Sequence, residues 1–242
     1  KPMEVKEFSV CIYISDNKEK NKFEEIEEQI DKIKRIDVEK ELQNTKKYWR
    51  KYVKNHSKLE LEGTRYKETI RNIYTRTILL FPLLTNLNTG GMSAAMEIDE
   101  KFTKCGRYAY CWPRDAVYIT KALDLINMEK ETEKFYKVFC KNTQSRNGMW
   151  EQRFYTDCTL APCWGYQIDE TAGIVYGIYD HYTRTKDKKF LQENLKMVEK
   201  AIKFLENYVE DIIENKKEMQ VSYDLWEMHE GVSIYSLASI FA

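Results

Sequence analysis

Gln167 to Ile213 reads QIDETAGIVYGIYDHYTRTKDKKFLQENLKMVEKAIKFLENYVEDII, and two helices are written in it. The spacing predicts one over Glu170 to Tyr182 and a second over Lys188 to Ile213. In the second, Leu191, Leu195, Val198, Ile202, Leu205, Val209 and Ile212 recur every three or four residues and share one face. The pair is entered through Gln144 to Ile168, a long irregular stretch rich in Trp, Tyr and Cys. The same alternation repeats outward. Helices are predicted over Tyr66 to Leu84, Arg114 to Ile126, Glu131 to Lys141 and Gly231 to Ala242. Irregular stretches cover Thr85 to Trp112 and Asn215 to His229. Only 9 Gly and 4 Pro punctuate 242 residues, well below the average share of about 12%. Turns are therefore scarce, and an all-α domain of helix pairs joined by long aromatic loops is expected.

Upstream the character differs. Glu7 to Ser15, EFSVCIYIS, alternates apolar and polar residues as a strand does. One strand cannot stand alone, so it is expected to belong to a sheet mostly outside this chain. From Asp16 the sequence turns Lys/Glu-rich, with Phe23, Ile26, Ile30 and Ile33 at helical spacing, which reads as a solvated helical linker. The resulting division is 1–17, 18–59 and 60–242.

Composition removes several function classes. Lys plus Arg and Asp plus Glu are both 39, so the net charge of zero argues against a general nucleic-acid binder. The longest apolar run, Ile78 to Leu84, is broken by Pro82 and is far short of the roughly 18 residues that a membrane span needs. The six cysteines form no CxxC pairs, so free thiols and a reducing, cytoplasmic compartment are expected. The chain starts at Lys1 rather than Met, which leaves a removed leader and secretion open. No cofactor motif and no metal-ligand spacing stands out; His229 has no metal-binding companion in the sequence.

Three loop segments mix aromatic rings with carboxylates, an arginine or an amide. They are Tyr108-Ala-Tyr110-Cys-Trp112-Pro-Arg114-Asp115, Trp164-Gly-Tyr166-Gln167-Ile-Asp169-Glu170 and Tyr223-Asp224-Leu-Trp226-Glu227. Sugars ask for this mixture, because their C–H faces stack on rings while their hydroxyls need charged or amide partners. A carboxyl packed beside Trp226 would be desolvated and suited to give up a proton near neutral pH. Each motif alone has a plain structural reading: a helix-start ion pair for Arg114 and Asp115, an N-cap for Asp224, and acids complementing a helix N-terminus for Asp169 and Glu170. All three lie at loop-to-helix junctions, which points to a shared site.

These residues resemble glycoside hydrolase family 15, the glucoamylases, glucodextranases and related α-glucosidases. The likeness runs from Thr75-Arg-Thr-Ile-Leu-Leu80 through Thr89-Gly-Gly-Met-Ser-Ala-Ala95 and the WxRD of Trp112 to Asp115. It continues through Gln167-Ile-Asp-Glu170 to the DLWE of Asp224 to Glu227. The resemblance implies an (α/α)6 toroid, here its first half, preceded by a helical linker and a remnant strand of an N-terminal β-sandwich. It implies exo-acting hydrolysis of α-glucosidic bonds from the non-reducing end, with inversion. By position, Glu227 matches the general acid. Arg114 and Asp115 match the pair holding the terminal glucose, and Tyr108, Tyr110 and Trp112 match its ring-lining positions. Trp164, Gln167 and Asp169 match residues shaping the pocket, and Asp224 and Trp226 lie beside the acid. The partner is thus an oligosaccharide or α-glucan.

Two departures stand out. Met228 occupies a position where the family often has a second Glu. An inverting glycosidase also needs a base roughly 6.5–9.5 Å from the acid, which the family carries in the second half of its toroid. Twelve helices with long loops would need roughly 300–400 residues. The isolated chain is therefore expected to be inactive and to self-associate through exposed helix faces such as Leu123, Ile174 and Leu237. Alternatives of trehalase or dextran type stay open, as does a non-catalytic carbohydrate-binding or regulatory domain. Retention of Trp112, Arg114, Asp115 and Glu227 together favours the enzyme.

Overall fold

The computed structural model describes residues 8–12, 23–56, 59–97, 108–163, 165–214, 222–223 and 226–242. It is mostly helical, with 63% helix and little strand. The chain forms two units, Lys1–Asn55 and His56–Ala242.

In the first unit, α1 (Phe23–Lys34) and α2 (Val38–His56) are solvated helices. α2 buries no side chain, and Ile26 and Ile30 of α1 are exposed. Surface pairs such as Lys32–Glu28 at 2.8 Å decorate them. Residues 8–12, the centre of the anticipated strand, form no strand, and Phe8, Val10 and Ile12 are exposed. The alternation is real, but a strand is completed by ladder partners, and none pairs with these residues among those described.

The second unit carries the remaining helices: α3 (Lys67–Leu84), α4 (Pro113–Leu125), α5 (Glu129–Lys134), α6 (Lys141–Thr143), α7 (Ile168–Thr185), α8 (Lys188–Ile213) and α9 (Ile234–Phe241). A π-helical segment, Phe135–Cys140, joins α5 to α6. The last helix is shorter than the sequence suggested because Glu230–Gly231 (β2) pairs antiparallel with Ser222–Tyr223 (β1).

α7 is the hub, packed against α4, α8 and α9. Its close approach to the neighbouring layer depends on Gly177, where a Cβ would lie 2.2 Å from the Tyr136 hydroxyl and 3.0 Å from Val117 Cγ1. Deeper along the same seam, His181 Nδ1 meets Asp124 Oδ2 at 2.7 Å. Phe135, Tyr136, Phe139 and Phe190 fill the core behind it. A second cluster, Met149, Ile168, Ala172, Phe204, Leu205 and Tyr208, binds α7 to α8. The α7–α8 turn is set by Lys186 in the left-handed region (φ 56°) and by Asp187, whose carboxylate accepts from the amides of Lys189 and Phe190. Gly90 (φ +80°) lets the Thr85–Met92 loop press on the π segment, since a Cβ there would sit 2.6 Å from the Phe135 nitrogen.

The exposed faces differ from expectation. Leu123 and Ile174 are fully buried where α4 and α7 pack into the unit. Solvent meets Tyr118, Leu125, Tyr179, Ile213 and Phe241 instead. Helical periodicity names an apolar face but not the neighbour that covers it. An apolar groove of about 920 Å³ runs between α7, α8 and α9, lined by Tyr179, Val198, Ile202, Val209 and Phe241. Its lining includes none of the aromatic and carboxylate residues singled out from the three loops.

Candidate functional site

The helices α4, α7 and α9 all start at the end of the unit where the three aromatic loops gather. Each loop is pinned there by main-chain bonds. Cys111 and Phe154 exchange both N–H···O bonds, at 2.8 and 2.9 Å. This presents Tyr110 and Trp112 just ahead of Pro113, which opens α4 as the first helical residue. Tyr166 bridges to Ser222 in parallel, and the Tyr223 amide donates to the Tyr166 carbonyl at 2.7 Å. The loop bearing Glu227 is thereby tied to the entry of α7.

The decisive contact spans the sequence. Trp112 Nε1 donates to Glu227 Oε1 at 3.2 Å. Glu227 is half-buried and sits in the left-handed region, with φ 59°. That conformation is costly for a residue bearing a Cβ and concentrates at functional sites. Trp226 does not enclose this carboxylate as the sequence suggested; it is 77% exposed. Trp112 is instead the indole that contacts the carboxylate, as the hydrogen-bond donor.

Beside this contact lies a compact ionic cluster at the N-termini of α4 and α7. Arg114 Nη1 lies 2.6 Å from Asp169 Oδ2 and 3.2 Å from Glu170 Oε1, while its Nη2 lies 3.8 Å from Asp115 Oδ2. α4 has no cap from its own side chains. Its free first-turn amide at Arg114 donates to Glu170 Oε2 at 2.5 Å, so α7 caps α4. Asp169 and Glu170 are almost wholly buried, whereas Asp115 is partly exposed. Burial pushes the Glu170 carboxyl well above the usual range, against the opposing pull of Arg114. Burial likewise raises Asp115. For Arg114, burial alone would lower the value, but Glu170 and Asp169 outweigh it and hold the guanidinium charged.

The aromatic wall is continuous. Tyr108 and Tyr110 lie 6.2 and 5.9 Å from Trp112, and Tyr155 meets Tyr110 edge-on at 5.2 Å. Arg153, which motif reading missed, is buried with its guanidinium 5.2 Å from the Tyr110 ring and 5.4 Å from Trp112. Its Nε is anchored to the Pro162 carbonyl at 2.6 Å. Sequence marked only its surroundings, the stretch rich in Trp, Tyr and Cys, since an Arg in such a loop carries no motif. A cavity of about 350 Å³ opens between α4, α7 and α9, lined by Arg114, Tyr118, Lys121, Asp169, Tyr176 and Tyr235. Tyr235 is pushed up to about 12 by burial and its hydrogen bond with Tyr118.

The site residues anticipated from sequence thus fall into three groups. Tyr108, Tyr110, Trp112, Arg114, Asp115, Asp169 and Glu227 come together at one end of the unit. Gln167 is buried as the residue before α7, and Trp226 faces solvent. Trp164 and Asp224 lie outside the described residues.

Comparison with known proteins bears on the family and the fold. The family model for glycosyl hydrolases family 15 matches residues 65–241. A Methanocaldococcus jannaschii protein described as an uncharacterized glycosyl hydrolase is 27% identical over 195 residues, which is 81% of this chain and 29% of that protein. A wild-type glycosidase superposes with a TM-score of 0.59 at 15% identity, over 75% of this chain and 50% of its own. Glucoamylase from Saccharomycopsis fibuligera gives 0.52 at 14% identity, over 76% and 44%. The chain therefore spans less than a third of the archaeal relative and half of the glycosidase. The fold is similar to the glucoamylase-type (α/α)6 fold. With motif order, helical architecture and a match over most of its length in agreement, this chain belongs to glycosyl hydrolases family 15.

Proposed function

We propose that this chain contributes the acid-bearing half of a glucoamylase-like site that hydrolyses α-glucosidic bonds from the non-reducing end with inversion. The observation that carries the reading is the 3.2 Å bond between the Trp112 indole and Glu227. It joins the anticipated proton donor to the loop that leads directly into Arg114 and Asp115. In this mechanism a terminal glucose stacks its C–H face on the Tyr110–Trp112 wall. Arg114 and Asp115 hold its hydroxyls by charge-assisted hydrogen bonds. Glu227 gives its proton to the departing glycosidic oxygen as the C–O bond breaks.

Inversion also requires a carboxylate on the opposite face of the sugar to activate water. Asp169 and Glu170 are poor candidates, because both are buried and committed to Arg114. As the family resemblance implies, the base is assigned to the second half of the toroid, so the 242 residues alone are expected to show no appreciable maltose hydrolysis; robust hydrolysis would point to Asp169, Glu170 or Glu230.

The test is Glu227→Gln in the full-length protein, which removes the proton and keeps the shape. kcat for maltose should fall by about 10²–10⁴-fold, with glucose binding largely retained. Following the anomer released by NMR should show β-glucose first. A fully active Glu227→Gln variant, or α-glucose as first product, would sink the assignment.

A further inference from the structure

We infer that Glu170 is a positioning residue for the sugar-binding arginine: it caps α4 at the Arg114 amide and clamps the Arg114 guanidinium with its second oxygen. The inference rests on the proposed sugar site and concerns how that site is held.

The geometry is specific to a carboxylate. Oε2 accepts from the Arg114 main-chain N–H at 2.5 Å, and Oε1 lies 3.2 Å from Nη1 of the same residue. One oxygen of this buried group is therefore hydrogen-bonded to the main chain of Arg114, and the other is ion-paired with its guanidinium without a hydrogen bond of its own. Main chain and side chain of Arg114 are fixed by a single partner that is itself inside α7. Asp169 completes the clamp at 2.6 Å on the same Nη1. With Nη1 engaged by both acids, Nη2 is the nitrogen turned to partly exposed Asp115, 3.8 Å away. That is the direction in which a sugar hydroxyl would be met. Glu170 is fully buried and cannot itself reach a ligand, so its effect on sugar must pass through Arg114. Such placement matters because a guanidinium already held in place does not have to be ordered when the sugar binds.

Glutamine separates the two duties. Its one carbonyl oxygen can keep the α4 amide, but its NH₂ then faces the guanidinium, a donor against a donor. Asp169 still neutralises Arg114, so the helix junction survives while the clamp opens.

The experiment uses the full-length protein, with maltose as substrate and glucose as ligand. Glu170→Gln is expected to raise KM for maltose about tenfold with kcat within about twofold, and to leave the thermal midpoint no lower than that of the wild type. On an Arg114→Lys background, Glu170→Gln should add no further KM change, because the clamped group is gone. In parallel, the Arg114 side-chain NH resonances, labelled with ¹⁵N, should be slow-exchanging in the wild type and broadened in Glu170→Gln. An unchanged KM with lowered stability, or additive effects on the Arg114→Lys background, would overturn the assignment. Should the wild type neither cleave maltose nor bind glucose, the sugar-site reading fails. The NMR arm then decides alone: unaltered Arg114 resonances in Glu170→Gln reject the clamp, and broadened ones uphold it.

Discussion

The junction of α4 with α7 and the loop that carries Glu227 lie side by side and are built on opposite terms. At the junction, Arg114, Asp169 and Glu170 form a buried ionic knot between two helix N-termini. On the loop, Glu227 is held by a two-residue ladder, one indole hydrogen bond and an unfavourable left-handed backbone. Under the proposed function, the groups that would hold a sugar gain from rigidity, whereas the group that would give the proton must meet a moving reaction coordinate. The molecule invests burial in the first and strain in the second.

Four outcomes would break or sharpen this contrast. The largest is expected for Arg114→Leu, which leaves Asp169 and Glu170 buried without a counter-charge. Loss of about 3–5 kcal/mol of stability is expected, read by urea unfolding of the isolated chain. A loss below about 1 kcal/mol would mean that the knot is not structural.

Next is pH. Burial raises Glu170 above its ordinary value of 4.5, so over a window above pH 4.5 the folded chain still holds a proton that the unfolded chain has released, and the clamp on Arg114 is the ionised state reached above that window. Stability should fall as pH climbs from about 4.5 through that window, by at most about 1.4 kcal/mol per pH unit. Urea midpoints for wild type and Glu170→Gln should converge on acidification, with the variant showing the flatter profile. Parallel profiles would place the titrating group elsewhere.

Trp112→Phe keeps an aromatic wall but removes the donor to Glu227. A fall in kcat of about tenfold, with little change in stability, is expected in the full-length protein. An effect confined to KM would make Trp112 part of the wall only.

The smallest effect belongs to Glu227→Gly. Release of the left-handed strain offsets the lost hydrogen bond, so stability should stay within about 1 kcal/mol of wild type although chemistry is lost. A large destabilisation would show that the loop is as firmly built as the junction.

The helix pairs were legible because amphipathic periodicity is local: Lys188–Ile213 has the bounds its apolar stripe predicted. The order of the aromatic–carboxylate motifs was legible for a related reason, since each sits at a loop-to-helix boundary marked by composition. Arg153 was not legible, because a cation beneath two rings depends on a main-chain bridge between Cys111 and Phe154. Residues 8–12 form no strand among the described residues, because alternation becomes a strand only when a neighbour completes its ladder, and that neighbour was expected outside this chain.

What the sequence by itself determined is the set of helices and the chemical vocabulary of their entry loops, because both are written in residues near one another in the chain. Only the tertiary structure decided which groups meet. Glu170 turned from a helix-end acid into the cap of a different helix. Trp112, rather than Trp226, became the partner of Glu227. Leu123 and Ile174 went inside. The first and last depend on the packing of α7 against α4, with its close approach at Gly177, the second on the loop tied through Tyr166 and Ser222, and packing between distant segments leaves no local periodic mark.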